Sequence, residues 1–222
     1  MVTVAKAIVP FKKEGAKSRL SVLLTRAERE ELALRMLNDV LVALSRSEVD
    51  EVEILTRGDT EELMVEQGLK KMVTEVRSDN RGLNEALNAA IARQEQPVLI
   101  LMADIPLVTP ESINKMIERT EDVVVAPGRK GGTNALLLRK PSLFSVSYYG
   151  ISCIEHLNIA RMRNLTYGIH DSFFMSVDID EVEDLTELLI HGLGSYSALY
   201  LDEIGVHLRV NKGSEMHAEV VR

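Results

Sequence analysis

The sequence predicts a three-layer α/β/α sandwich around one mostly parallel sheet, and three observations predict it. Short runs rich in Val, Ile and Leu alternate with segments of helical periodicity along most of the chain, the order that places helices on both faces of a parallel sheet. The run "PVLILMA" is apolar at nearly every position, as a central strand covered on both faces requires. A length of 222 residues, with no repeat or long linker, suits one substantial core.

In chain order, "VTVAKAIVP" is expected to be a strand ended by Pro10, since proline cannot donate to a ladder. A helix follows from Thr25, which forms a capping box with Glu28; Ala33, Met36, Leu37, Val40, Leu41 and Leu44 then recur at helical spacing. "EVEILT" is a strand, "TEELMVEQG" a short helix closed by Gly68, "MVTEVR" a strand and "LNEALNAAIARQ" a helix. After "PVLILMA", "TPESINKMIERT" restarts a helix with Thr109 as cap and Pro110 in the first turn. The strands "DVVVAP" and "ALLLR", a helix near "CIEHLNIARMRN", the strand "FFMSVDI" and the helix "EVEDLTELLIHG" complete the alternation. Beyond it periodicity fades. Residues 1–210 are expected to form a single domain and 211–222 a flexible tail.

A net charge of -8 argues against a general nucleic-acid binder, which needs a broad basic face. No apolar run approaches the roughly 20 residues that cross a bilayer, and no leader pattern opens the chain, so a cytoplasmic protein without membrane contact is expected. Cys153 is the sole cysteine, which excludes an internal disulfide and a thiolate metal cluster. The five histidines show no metal-ligand spacing and are expected on the surface or satisfied in the core. The apolar residues of "SALYLDEIGVHLRV" make a homodimer contact conceivable.

Ligands of open α/β sheets bind beyond the carboxyl ends of strands, and four such places carry polar residues. The loop "VPFKKEGAKSRLS" sets Lys12, Lys13, Lys17 and Arg19 after the first strand, as either a phosphate-binding loop or a solvated one; the glycine spacing of a Walker A loop is absent. Asp104 in "LILMADIPLVT" ends a buried strand, as a Mg²⁺ ligand or a turn acceptor. Asp178 and Asp180 alternate in "SVDIDEVEDL", where either is a second metal ligand and Asp180 equally a helix cap. "GRKGGTN" brings Thr133 and Asn134 beside paired glycines that permit close backbone approach. A weaker fifth place is "SDNRGLNEAL", where Gly82 opens a helix and Asn84 is positioned for a base or ribose; "RGD" at 57–59 reads as a turn.

Together, "VPFKKEGAKSRLS", "RGLNEALNAA", "LILMADIPLVTP", "GGTNALLL", "YYGISCIEHL" and "VDIDEVEDLTELLIHG" resemble the 2-phospho-L-lactate guanylyltransferase family of coenzyme F(420) biosynthesis in archaea. The resemblance spans about residues 4 to 205. It implies a Rossmann-like fold of the nucleotide-diphospho-sugar transferase type. The implied reaction joins 2-phospho-L-lactate to the GMP moiety of GTP, giving lactyl-2-diphospho-5′-guanosine and pyrophosphate; bacterial relatives use phosphoenolpyruvate or 3-phosphoglycerate. Carried over by motif, Asp104, Asp178 and Asp180 are Mg²⁺ ligands, and Lys17 and Arg19, with Asp104, are the catalytic set. Pro10, Lys12, Lys17, Ser18, Arg19, Gly82 and Asn84 are nucleotide-binding, while Thr133, Asn134, Gly150 and Ser152 hold the phosphorylated three-carbon acid. The run "GISCIEH" is one residue shorter than the family's, making Cys153 a competitor of Ser152, and "DIDEVEDL" replaces an Asp-Thr-Pro-Glu turn. Other nucleotidyltransferases of this fold open with a glycine-rich loop where "IVPFKK" stands here, which disfavours them. A silent nucleotide-binding module would lack a reason for the aspartates.

Overall fold

The computed structural model describes residues 4–57, 68–69, 72–211 and 217–222. Strand β1 (Val4–Phe11) runs one residue past the proline expected to end it. Pro10 is accommodated because β1 pairs with β4 (Val98–Leu101) only from Lys6 to Ile8; beyond that the strand has a single partner, where a missing donor is tolerated. Helix α1 (Arg26–Ser45) starts as its sequence dictates. Thr25 Oγ1 accepts from the Glu28 N–H, and the Glu28 carboxylate accepts from the Thr25 N–H, a reciprocal cap worth about 1 kcal/mol. Every residue of its expected apolar face is buried.

Strands β2 (Val49–Thr56) and β3 (Val73–Ser78) continue the parallel sheet outward from β1. The short helix expected at 60–68 lies outside the described residues except for Gly68. Helix α2 (Leu83–Ile91) follows β3, and α3 (Pro110–Ile117) opens with Thr109 as cap and Pro110 in its first turn. Strands β5 (Val123–Pro127) and β6 (Thr133–Leu138) form a hairpin, so β6 runs antiparallel to both β5 and β4. Helix α4 (Ser152–Met162) leads to β7 (Tyr167–Ile169), which pairs in parallel with β5 at the edge. The resulting seven-stranded sheet has the order β3-β2-β1-β4-β6-β5-β7.

Two expectations are corrected. "FFMSVDI" is not a strand: Phe173–Ser176 form the short helix α5, and 177–179 run on without a ladder. Met175, Val177 and Ile179 are all buried, and this alternation imitates a strand although the segment crosses the ends of strands. Nor is the end of the chain without regular structure. After α6 (Asp184–His191), helix α7 (Tyr196–Glu203) leads to a hairpin of β8 (His207–Asn211) and β9 (His217–Val221). Arg222 donates to Glu28 of α1, joining the last residue to the first long helix.

Period-2 alternation sorts the core to two faces. Ala7, Val9, Leu99, Leu101, Val124, Ala126, Ala135 and Leu137 pack with α1 and α3; Ile8, Val98, Ile100, Val123, Val125, Leu136 and Leu138 pack with α2 and α4. Burying each leucine-sized side chain contributes roughly 1.5–3 kcal/mol. Among the described residues no helix is long and apolar enough to cross a membrane.

Candidate active site

Strand order reverses between β1 and β4, and the crevice beyond such a switch point is where a doubly wound sheet binds ligands. A cleft of about 300 Å³ opens there, lined by Pro10 at the end of β1, by Lys12 and Lys17 from the loop after it, and by Met102 and Asp104 after β4. Its far end is formed by Thr56 at the end of β2, Asp79 and Arg81 after β3, and Leu83 of α2.

Lys17 takes a left-handed backbone conformation (φ 53°) just before the 3-10 turn Ser18–Val22, an uncommon state for a side-chain-bearing residue and one that clusters at functional sites. Leu20 in that turn is fully buried and anchors the loop. The twist aims the ammonium inward: Lys17 Nζ donates to Asp104 Oδ2 at 2.7 Å and to Asp180 Oδ1 at 2.8 Å. Burial alone pushes the lysine pKa down, but the two carboxylates overcome it and hold the ammonium above its ordinary value. Asp180 shows the converse, with burial opposed and outweighed by Lys17, then Arg19 and Lys130, so that its pKa is lowered.

Asp180 reaches this position from a loop. The Ile179 N–H donates to the Asp104 carbonyl at 2.9 Å, and Asp184 Oδ2 accepts from the Asp180 and Glu181 N–H groups. Arg129 in turn donates to Asp184 Oδ1 at 2.8 Å. Asp178, two residues before Asp180, is held by Asn134, its Oδ1 accepting from Asn134 Nδ2 at 3.2 Å. Burial, then repulsion from Asp104 and Asp180, raises its pKa. A Cβ on Gly128 would lie 2.8 Å from Asn134 Oδ1 and 3.0 Å from Asp178 Oδ1, so only glycine permits that packing.

Mg²⁺ fits Asp104 and Asp180. Their carboxylates already converge on one cation, they are hard oxygen donors, and Mg²⁺ characteristically takes one or two carboxylates with substrate phosphates and water. Among the described residues no group of three or more His, Cys, Asp and Glu side chains forms a ready-made cage.

Thr133 and Ser152 meet in a second, buried cluster, where Ser152 Oγ donates to Thr133 Oγ1 at 3.2 Å. His156 Nε2 accepts from the Ser147 N–H at 3.0 Å; the ring proton is therefore on Nδ1, which donates to Thr133 Oγ1 at 2.9 Å. The Cys153 N–H donates to the Gly131 carbonyl, and its thiol is buried. Of the two competitors, Ser152 is the one bonded to Thr133. Gly150, two residues before Ser152, is exposed and at φ 56°.

Other expected site residues lie apart. Arg19 is 63% exposed and pairs with Glu181 at 3.0 Å, while Ser18 faces solvent; neither lines the cleft. Gly82 caps α2 between two cleft residues. Asn84 turns the other way, its Oδ1 accepting from the Tyr148 N–H at 2.6 Å.

Over residues 5–222 the sequence matches the family described as Guanylyl transferase CofC like. The chain belongs to this family. It is 45% identical to the 2-phospho-L-lactate guanylyltransferase of Methanosarcina mazei over 94% of this chain and 96% of that one. The Methanocella arvoryzae protein of the same name is 46% identical over 90% and 87%. Among solved structures, one described as a nucleotide-diphospho-sugar transferase from Desulfovibrio desulfuricans G20 superposes with a TM-score of 0.71 at 19% identity, covering 90% of this chain and 95% of that one. A nucleotidyl transferase from Methanothermobacter gives 0.60 at 17% identity, covering 86% and 98%. These structural likenesses show the fold, of the nucleotide-diphospho-sugar transferase type.

As a guanylyl transferase family member, the chain has functional candidates that its motifs do not single out. Arg57, Asp79 and Arg81 line the cleft, Gly128 packs against Asn134 and Asp178, and His156 bonds Thr133. Asp79 is signalled by its place just after a strand; His156 and Gly128 carry no local signal.

Proposed function

We propose that the protein joins 2-phospho-L-lactate to the GMP moiety of GTP, releasing pyrophosphate and forming lactyl-2-diphospho-5′-guanosine for coenzyme F(420) biosynthesis. The single observation that carries this reading is Lys17 Nζ held between Asp104 and Asp180 on the wall of a cleft at the strand-order reversal. The relatives' shared name supports guanylyl transfer and the acceptor.

The chemistry couples two anions, so mutual repulsion is the main barrier. An acceptor phosphate oxygen attacks the α-phosphorus of GTP, the bond to the β-phosphate oxygen breaks, and pyrophosphate leaves with that electron pair. The nucleophile is already ionised, so no general base is required. Asp104 and Asp180 are the residues that would hold Mg²⁺, which when bound supplies Lewis acidity and charge neutralisation at the phosphates. Lys17, kept charged in a partly buried setting, stabilises the departing pyrophosphate. Lys12 lines the same cleft and assists; Arg19, paired with Glu181, contributes from its rim. Thr133 and Ser152 offer hydroxyls to the acceptor acid beside Gly150.

Pyrophosphate release is the test, with GTP, ATP, CTP and UTP each set against 2-phospho-L-lactate, phosphoenolpyruvate and 3-phosphoglycerate in the presence of Mg²⁺. GTP with 2-phospho-L-lactate is expected to give the highest rate and the diphosphate-linked product. No pyrophosphate from any combination defeats the reading.

A further inference from the structure

Among the described residues lining the end of the cleft away from Lys17, one carries a carboxylate, Asp79. Its backbone is pinned, since the Asp79 N–H donates to the Thr56 carbonyl at 2.8 Å. Its side chain is aimed by the Arg81 N–H, which donates to Oδ1 at 3.0 Å. The Arg81 guanidinium then closes on the carboxylate as a fork, with Nε on Oδ1 at 2.9 Å and NH2 on Oδ2. Asp79 is 10% exposed and Arg81 55% exposed. The carboxylate is thus part of the wall, while the guanidinium forked onto it belongs to a half-exposed side chain that can swing out into water.

A carboxylate set for that fork is also set for one nucleobase. The N1–H, C2 and N2–H₂ of guanine form a guanidine fragment, two parallel donors spaced like those of arginine. Adenine and cytosine present a ring-nitrogen lone pair where guanine has N1–H, and uracil flanks its one N–H with carbonyl oxygens; each would face the carboxylate with a repelling acceptor. Leu55, Leu83 and Ala86 line the same end and supply apolar surface for a flat ring.

We infer that Asp79 is the guanine-specificity residue, with the base's N1–H and N2–H₂ replacing the Arg81 side chain on its carboxylate. Arg81 is a placeholder that covers this acceptor until the base displaces it. The inference deepens the guanylyl-transfer reading of this cleft and rests on it for the identity of the ligand.

The experiment is calorimetric binding of GTP, inosine triphosphate and xanthosine triphosphate with Mg²⁺ and no acceptor, to the wild-type chain, Asp79→Asn and Arg81→Ala. Wild type is expected to bind GTP about tenfold or more tightly than inosine triphosphate, which lacks the N2 amine. Asp79→Asn should remove that preference and favour xanthosine triphosphate, whose C2 carbonyl accepts from the new amide. Arg81→Ala should bind GTP at least as tightly as wild type. An unchanged GTP to inosine triphosphate ratio in Asp79→Asn overturns the inference, as does equal affinity in wild type. Loss of GTP binding in Arg81→Ala overturns the placeholder role. GTP bound with the stated preference but never turned over would defeat the transfer reading and leave Asp79 as the base reader.

Discussion

His156 and Asp39 are buried ionisable groups on opposite faces of the sheet, and their titrations pull stability in opposite directions. Burial pushes the His156 imidazole down to about 4, while an unfolded histidine titrates near about 6.5. On acidification the unfolded chain takes up this proton first, so the contribution is fully present above pH 6.5 and is lost as pH falls towards 4. Asp39 behaves conversely. Burial pushes its carboxyl up to about 6, against bonds from Ser197 and Tyr196, and the unfolded value is about 3.9. Here the folded chain takes the proton first, and the penalty of a buried charge present above pH 6 is relieved as pH falls to 4. Each swing is on the order of 3 kcal/mol. Between pH 4 and 6 they nearly offset each other. Urea unfolding at pH 4, 5, 6 and 7 should therefore show His156→Gln less acid-sensitive than wild type and Asp39→Asn more so; parallel curves for all three would refute both assignments. The sequence suggested a satisfied core as one place for the histidines, and His156 fits it, but its partners Ser147 and Thr133 are not local to its helix face. Such pairings have no periodic signature.

At the scale of elements, α2 does more than flank the cleft. Asn88 Nδ2 donates to the Val146 carbonyl at 3.1 Å, and its Oδ1 accepts from the Val146 N–H at 2.8 Å, imitating a strand partner. One turn earlier Asn84 accepts from Tyr148. The helix that borders the far end of the cleft therefore also carries the segment leading to Gly150 and Ser152. Asn88→Ala should cost about 1–2 kcal/mol through the unpaired backbone groups and raise the acceptor KM severalfold, with a much smaller change in the GTP KM. Steady-state kinetics with each substrate varied checks this, and equal rises in both constants would count against it. Capping chemistry made α1 and α3 legible, because Thr25 with Glu28 and Thr109 with Pro110 act within one turn. The two asparagines reach across about sixty residues, and "LNEALNAA" reads only as an amphipathic helix. "FFMSVDI" misled for a related reason: alternation reports which residues are buried, and a crossing segment buries them as a strand does.

For the whole molecule, the decisive arrangement is the one that brings residue 17 to residues 104 and 180. Strand-end position made residues 17 and 104 legible in the sequence, and residue 180 only beside an expected strand that does not exist; that the lysine itself stands between the aspartates was not legible, because it follows from the left-handed turn at residue 17. Lys17→Ala should reduce turnover on the order of a hundredfold or more. It also leaves two carboxylates facing each other, so added Mg²⁺ should raise its melting temperature more than that of wild type. Equal Mg²⁺ responses would show that the ion does not bind between Asp104 and Asp180.

The reversed direction of β6 has a consequence for how such a protein can diversify. Strands β1 to β4 offer the crevice only their carboxyl ends, whereas β6 offers it the end at which it begins, Thr133 and Asn134. Whatever binds on that side is met by a hairpin tip, and beyond Gly128 and Arg129, which packing and the Asp184 pair hold fixed, that tip can vary in length without moving the register of the central strands. Evolution thus has a free hand on one flank, where a new co-substrate can be accommodated while the machinery opposite stays fixed.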